Sequence, residues 1–199
     1  MLLIGIFVIN FCTVDLDQYP CDICTKSPEE AVDIYRKRTV ETSSYRPELV
    51  VDRHSPTLVR DLFKKLKRDE LNLTKEPDIT FLGEDGIDAN GLTKELCHMI
   101  VQGLRDGSKG YVLFEGQPDH LLPIHCEEHI QSNLFVYTGQ IIAFAFLHGN
   151  IGFLGLSRAI THYLVTGNIN CAIEYLCKND LPDITVRMAV GEVSNYDSE

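Results

Sequence analysis

The stretch ITFLGEDGIDANGLTKEL, Ile79–Leu96, changes character twice along its length. A short apolar run that is typical of a strand leads into an acidic, glycine-rich loop, and the loop leads into the first turn of a helix. Loops of this composition bind calcium, hold a phosphate group, or only connect a strand to a helix. In a calcium loop counted from Gly86, the twelfth position, which needs a bidentate acid, falls on Cys97. The sequence therefore argues against calcium.

The same loop also lacks the features of a phosphate-binding loop. It has no Gly-Lys-Ser/Thr ending, whose lysine and hydroxyl would contact the phosphate and its metal ion. We therefore interpret it as a strand-to-helix connection. Its acids Glu84, Asp85 and Asp88 are then surface residues close to a helix N-terminus, where the helix dipole favours negative charge.

Hydrophobic periodicity along the rest of the chain predicts more helix than strand. Ser27, followed by Pro28 and Glu30, is a strong helix start, and the segment 134–148 is apolar nearly all round, which is typical of a helix at the centre of a core. The predicted helices cover residues 27–40, 56–68, 92–106, 134–148, 156–166 and 170–176, and the predicted strands cover 49–51, 79–82 and 111–114. Residues 119–123 are predicted as loop, and the tail after Pro182 has little pattern. The predicted fold class is α+β, mainly helical, with a few short strands.

The composition is that of an ordinary globular protein with an acidic surface. Hydrophobic residues make up 44% of the 199 residues, and the formal net charge is −11. This charge argues against a nucleic-acid binder, because phosphate contacts need a face rich in Lys and Arg. The seven cysteines have irregular spacing, which favours reduced thiols and hence a cytoplasmic or nuclear protein.

Residues 1–26 differ from the rest of the chain. Their apolar start lacks the basic n-region and the small-x-small cleavage site of a signal peptide, and it is too short to span a bilayer. We therefore favour a buried strand or a wrongly assigned gene start over a signal peptide. Residues 1–26 are predicted to be a leader that is disordered or wrongly assigned, and we predict no membrane association.

Two groups of residues have the composition of metal sites. Cys21-x-x-Cys24 is half a zinc site or a redox motif, but no second close pair follows it, so chance or a degenerate remnant is the favoured reading. The second group is a histidine-rich segment whose spacing matches no common metal site, so surface histidines are favoured over a metal cluster. Its potential ligands are His120, His125, Cys126 and His129.

Two further groups suggest a nucleophile and a docking patch. Cys97 and His98 are neighbours on a predicted helix and therefore point to different faces, although a cysteine–histidine pair that meets in space stays open. The helix 56–68 carries Lys64, Lys65, Lys67 and Arg68 largely outside its apolar stripe. This basic face is either a docking patch or, as we favour, a solvated helix face.

Five segments of the chain, taken in order, resemble the N-terminal lobe of HECT-type ubiquitin ligases. The phrase FLGEDGIDANGLTKEL is similar to the family's strand–loop–helix signature F-x-G-E-x-G-x-D-x-G-G-x-x-R/K-E. Gln140 departs from the family, in which a basic residue is common at that place. The branch looks like the cell-cycle phase-specific ligases, in which zinc-binding fingers precede the HECT region. The five segments are VVDR at 50–53, the phrase at 81–96, LFEG at 113–116 with its loop to Leu122-Pro123, the apolar helix from Tyr137 to Gly149, and the helix from Leu156 to Gly167.

The resemblance implies a domain organisation and a function. Residues 27–48 become a helical lead-in and residues 49–199 a truncated HECT N-lobe, the large subdomain, which stops before the lobe whose cysteine accepts ubiquitin. The implied family activity is ubiquitin transfer, in protein ubiquitination, with other ubiquitin pathway proteins as partners. No cysteine here matches the family's catalytic motif, so we assign no catalytic, cofactor-binding or metal-ligating residue and expect no cofactor. The alternatives are a non-catalytic protein-interaction module and a fragment without an independent role.

Overall fold

The computed structural model describes residues 27–84 and 89–196, and the predicted leader at 1–26 lies outside the described residues. In chain order, the described residues form α1 (Pro28–Thr39), β1 (Glu48–Val51), α2 (Leu58–Lys67), β2 (Asp78–Phe81), α3 (Ala89–Asp106), β3 (Phe114–Gln117), β4 (His120–Pro123), α4 (Glu127–Gln131), α5 (Leu134–Gly149), α6 (Arg158–Thr166), α7 (Ile169–Ile173), a 3₁₀ turn (Lys178–Asp180) and α8 (Ile184–Tyr196). Helices account for about 53% of the described residues. The predicted α+β, mainly helical class is therefore confirmed.

The two small sheets differ in how their strands pair. β1 and β2 are parallel, with Leu49 opposite Ile79 and Val51 opposite Phe81. These four side chains are all buried, and they alternate with more exposed ones, as the two-residue period of a strand requires. β3 and β4 form an antiparallel hairpin. Leu121 on the hairpin also forms an isolated parallel bridge with Leu156, which attaches the chain before α6.

Helix α5 lies at the centre of the core, as its apolar sequence predicts. It packs against α2, α3 and α4, and Ile141 and Phe144 on it are fully buried. The helix ends at Asn150, which adopts a left-handed conformation (φ 57°). The most deeply buried hydrophobic side chains, each at most 1% exposed, include Val59, Leu62, Phe81, Leu96, Cys97, Ile100, Leu104, Leu113, Ile141 and Phe144.

Helix ends follow the local chemistry of the sequence. The Ser27 hydroxyl accepts a hydrogen bond from the backbone of Glu30 and begins α1, with proline at the first turn. Ser157 accepts one from the backbone of Ala159 and begins α6, which ends at Gly167 in a left-handed conformation (φ 64°). These predicted starts and stops are confirmed.

Three predictions about the second half of the chain were wrong. The segment 119–123, predicted as loop, contains β4, and the strand predicted at 111–114 instead covers Phe114–Gln117. Both strands are short and lack a regular apolar pattern, so their formation depends on the hydrogen bonds that they make with each other. The tail after Pro182 contains α8, which begins where Asp183 accepts hydrogen bonds from the backbones of Thr185 and Val186.

Exposed apolar side chains are concentrated toward the end of the chain. The apolar side chains of α5 are buried or half-buried. The large apolar side chains that are exposed from α6 onward are Val165, Ile169, Ile173, Leu176, Ile184, Val186, Met188 and Val190. Within the part of the chain that the structure covers, no helix combines the length and the hydropathy that crossing a bilayer requires.

Helices α3 and α5 approach each other so closely that one position has no room for a side chain. A Cβ atom added to Gly149 would lie 2.5 Å from the Cβ of Cys97 and 2.8 Å from its Sγ. Both atoms are buried near the backbone of α3, so the helices themselves would have to move apart.

We therefore predict that Gly149→Ala lowers the free energy of unfolding by about 1–3 kcal/mol, because the added methyl overpacks the α3–α5 contact. The matched control is Gly191→Ala in α8, where an added Cβ meets no atom within 4 Å. The control should be neutral or stabilise by about 0.5–1 kcal/mol, since alanine favours a helix over glycine. Urea unfolding of both variants measures the difference, and equal effects would contradict the close contact.

Candidate functional site

Arg53 joins the two ends of the acidic loop that follows β2. Its guanidinium forms ion pairs with Glu84, before the loop, at 2.7 Å and with Glu95, on α3, at 3.0 Å. The same guanidinium lies over the ring of Phe81, 4.2 Å from the ring centroid. The loop connects a strand to a helix, as predicted, and the predicted surface acids at 85 and 88 lie outside the described residues.

The basic face of α2 is partly neutralised by its own neighbours. Lys64 forms an ion pair with Asp61 at 2.8 Å, and the carboxylate also accepts a hydrogen bond from Thr57 at 2.7 Å. These two hydrogen bonds lower the pKa of Asp61. Lys65 is half-buried, whereas Lys67 is exposed. Lys64, Lys67 and Arg68 are exposed, so the face is a solvated helix surface, and its use as a docking patch stays a prediction.

Cys97 and His98 point in different directions, as predicted. Cys97 is fully buried in the α3–α5 contact, and His98 is exposed. Burial raises the pKa of the Cys97 thiol to about 12. A thiol in this state is neither accessible nor ionised near neutral pH, so it cannot act as a nucleophile in the folded protein.

The four potential ligands of the histidine-rich segment are not brought together. His129 packs edge-on against the ring of Phe135. Among the described residues, the single group of three or more potential metal ligands contains His120 but not His125, Cys126 or His129. His125 is exposed and His129 is half-buried, and His120 has two partners that the sequence did not indicate.

The partners of His120 come from the turn that precedes α8. Its Nδ1 atom lies 2.8 Å from Oδ1 of Asp180 and 3.8 Å from the Sγ of Cys177. We call these three residues the His–Cys–Asp cluster. Asp180 is 5% exposed, His120 is partly buried and Cys177 is exposed. The cluster therefore has a buried acidic end and an accessible thiol end.

Hydrogen bonds keep Asp180 ionised despite its burial. Burial by itself would raise the pKa of the carboxyl, but hydrogen bonds from the backbone N–H of Cys177, from the ring of His120 and from the hydroxyl of Ser157 outweigh it and lower the pKa. The bond from Cys177 measures 2.9 Å. Because the carboxylate accepts, the ring nitrogen of His120 must donate in this bond.

Sequence reasoning missed Cys177 and Asp180 because they are 57 and 60 positions beyond His120. The predicted metal cluster was sought within one segment, whereas the fold brings a hairpin and a distant turn together. The only local signal of a site was the spacing Cys177-x-x-Asp180, close to the weakly patterned tail. The same spacing is also that of an ordinary turn.

Comparison with known proteins identifies one relationship. Over 109 residues the chain is 35% identical to an E3 ubiquitin-protein ligase TOM1-like from Neurospora crassa. The matched region is 51% of this chain but 2% of that relative's length. No family model matches the chain, and no solved structure matches it. The similarity indicates a relationship to ubiquitin ligases in general.

We predict that native alkylation distinguishes the cysteines of this chain. Iodoacetamide should modify Cys177 readily, because it is exposed, and should leave Cys97 unmodified until the protein unfolds, because its thiol is buried and un-ionised. Peptide mass spectrometry at several times measures both rates in one sample. A second sample in urea is the control, since both cysteines should then react; equal rates without urea would contradict the burial of Cys97.

His148 supplies a pH-dependent contribution to stability. Burial lowers the pKa of this α5 residue below the ordinary 6.5, and the charge of Arg36 adds to the shift. The hydrogen bond to the carbonyl of Leu73 and the charge of Glu76 oppose it. Its Nε2 atom lies 2.9 Å from the carbonyl oxygen of Leu73. The unfolded chain therefore binds a proton at a higher pH than the folded chain does.

The contribution of His148 should be complete above pH 6.5 and should be lost as the pH falls through the lowered pKa. We predict that His148→Gln reduces the loss of unfolding free energy between about pH 7.5 and about pH 5.5, measured by urea unfolding at each pH. The exposed His98→Gln is the matched control and should retain the wild-type slope. An unchanged slope in His148→Gln would show that this histidine does not titrate on unfolding.

Proposed function

We propose that this chain is a member of the HECT-type ubiquitin ligases and that residues 49–199 form part of the N-terminal lobe, where they act as a scaffold and not as the ubiquitin acceptor. The observation that carries the proposal is the 35% identity over 109 residues to an E3 ubiquitin-protein ligase. This similarity supports a relationship to ubiquitin ligases in general. We propose in addition that the ligase is of the HECT type, that these residues lie in its N-terminal lobe and that they act as a scaffold.

The order of the elements supports this placement. The segments that resemble the family coincide with consecutive parts of the fold: β1, the connection from β2 to α3, the β3–β4 hairpin, α5 and α6. The segment with the strongest apolar character, α5, is also the central helix of the core. A resemblance that had arisen by chance would not be expected to follow the boundaries of folded elements in order.

The environments of the described cysteines support a scaffold role. A ubiquitin acceptor needs an exposed thiolate that a neighbouring base activates. Cys97 is buried with a raised pKa, and Cys126 and Cys171 are partly buried. Cys177 is exposed, but the ring nitrogen nearest to it already donates to Asp180. In a working relay the thiol and the carboxylate contact opposite nitrogens of the imidazole.

A second candidate function is a non-catalytic interaction module that binds another protein of the ubiquitin pathway. Exposed apolar side chains extend from α6 to α8, and Val165, Ile184 and Met188 are each more than 60% exposed. Exposed apolar patches commonly mark a contact with another protein. In this case the chain would act by binding a partner and so blocking the partner's contact with other proteins. The basic face of α2, centred on Lys64, Lys65 and Lys67, is the alternative contact surface.

The decisive experiment is a thioester assay with the full chain. The chain is mixed with ubiquitin, the activating enzyme and a panel of charged conjugating enzymes, beside an intact HECT ligase as control. We predict no thiol-sensitive ubiquitin adduct on the chain while the control forms one, because no described cysteine combines exposure with an activating base. An adduct that Cys177→Ser removes would identify Cys177 as an acceptor and would overturn the scaffold role.

Pull-downs from the same mixtures test the binding surfaces. Charge reversal at Lys64, Lys65 and Lys67 is compared with Ile184→Asp/Met188→Asp, since the two sets change different surfaces of the same chain. If only one of the two variants fails to retain a conjugating enzyme or ligase, the contact lies on the surface that this variant changes. If both variants retain every partner of the wild type, neither surface is the binding site.

A further inference from the structure

The three donor atoms of the His–Cys–Asp cluster converge on one small volume. The imidazole nitrogen of His120, the thiol of Cys177 and the carboxylate of Asp180 all lie within 4.8 Å of one another. We propose that this cluster is a metal site that binds Zn²⁺ through the three side chains. The proposal does not depend on the relationship to ubiquitin ligases, since it follows from the positions of these three side chains.

The arrangement fits a set of ligands better than a catalytic relay. The carboxylate and the thiol both approach Nδ1 of His120, at 2.8 Å and 3.8 Å. In a relay the acid holds one ring nitrogen and the nucleophile contacts the other, so the groups stand in series. Here the carboxylate and the thiol approach the same ring nitrogen, and the three donor atoms lie within 4.8 Å of one another, as the ligands of one metal ion do. The same geometry that argues against a nucleophilic Cys177 therefore favours a metal site.

The distances are close to those of a zinc site. Zinc lies about 2.0–2.2 Å from nitrogen and oxygen ligands and about 2.3 Å from sulfur, so neighbouring donors of a tetrahedral site are roughly 3.3–3.6 Å apart. The 3.8 Å between Cys177 and His120 is near this range. The 2.8 Å between His120 and Asp180 is shorter because the two groups share a hydrogen bond. Binding replaces that bond, and a small rotation of the partly buried His120 ring separates the two groups.

The donor types select zinc over the common hard cations. Calcium and magnesium take oxygen ligands, whereas a thiolate and an imidazole suit zinc and similar transition metals. Binding ionises the Cys177 thiol, whose proton leaves to solvent. The His120 ring stays neutral, but Nδ1 releases its proton to solvent and Nε2 takes one up, so that Nδ1 can coordinate. The exposed thiol end leaves the fourth position to water.

The proposed site would join two parts of the fold that are distant in sequence. His120 begins β4 of the hairpin, and Cys177 and Asp180 flank the 3₁₀ turn before α8. Asp180 also accepts a hydrogen bond from Ser157, which caps α6. A bound metal ion would therefore stabilise the attachment of the C-terminal helices to the hairpin.

Cobalt(II) is the first probe, because a thiolate ligand gives it a charge-transfer band in the near ultraviolet. The experiment uses the full chain with Cys21→Ser/Cys24→Ser, since that pair is a competing zinc ligand pair outside the described residues. We expect one cobalt ion per chain, displaced by zinc. Cys177→Ser should abolish the band, and His120→Ala should weaken binding at least tenfold. Cys171→Ser and His125→Ala are the matched controls and should retain it.

Thermal unfolding provides a second readout in the same proteins. Zinc should raise the Tm of the parent chain by at least about 2 °C and leave that of Cys177→Ser unchanged, because ligand binding stabilises only a chain that binds. Cys177 is exposed, so its replacement by serine leaves the fold intact, which circular dichroism verifies. Absence of the cobalt band in the parent chain, or its persistence in both Cys177→Ser and His120→Ala, would overturn the proposal.

Discussion

The contact between α3 and α5 sets the distance between these two helices, and the packing of the rest of the core depends on that distance. The backbone of α5 reaches α3 at Gly149, where the space that a side chain would need is occupied by Cys97. Glycine is the residue that permits this approach, because it has no Cβ atom. Closely packed interiors transmit a displacement to their neighbours. The position of α5 therefore determines how α2 and the parallel strands β1 and β2 enclose the remaining apolar side chains.

The C-terminal third is attached in a different way. The connection before α6 joins the hairpin through the bridge between Leu121 and Leu156, and the turn before α8 joins it through Asp180. These hydrogen bonds are accompanied by a contact between the rings of Phe114 on the hairpin and Phe153 before α6, whose centroids are 5.0 Å apart. Exposed apolar side chains on α6–α8 lie in the same third of the chain. The outer region is therefore held by hydrogen bonds and by packing of the segment before α6 against the hairpin.

This division is relevant to both proposals. A scaffold within a ubiquitin ligase needs a rigid core and a surface that other parts of the ligase can contact, and the chain has both. The proposed zinc site lies where the second region meets the first. Occupancy of that site would make the position of the apolar outer region depend on metal, without any change in the core.

Much of the fold was accessible from the sequence, because the relevant signals are local. The strand and helix on either side of the acidic loop, the apolar helix α5, and the helix ends at Ser27, Ser157 and Gly167 all follow from periodicity and capping within a few residues. The strand β4 and the helix α8 were missed. Strand pairing makes β4, and α8 begins at the capping acid Asp183 with a weak apolar pattern.

The sequence by itself determined the fold class, the central helix and the resemblance to ubiquitin ligases, since each of these depends on patterns among residues that are close in the sequence. The tertiary structure alone decided that Gly149 meets Cys97 and that His120 meets Cys177 and Asp180. The physical reason is the same in both cases. Side chains that are tens of positions apart converge only when the elements between them pack, and no local pattern records which pairs will meet.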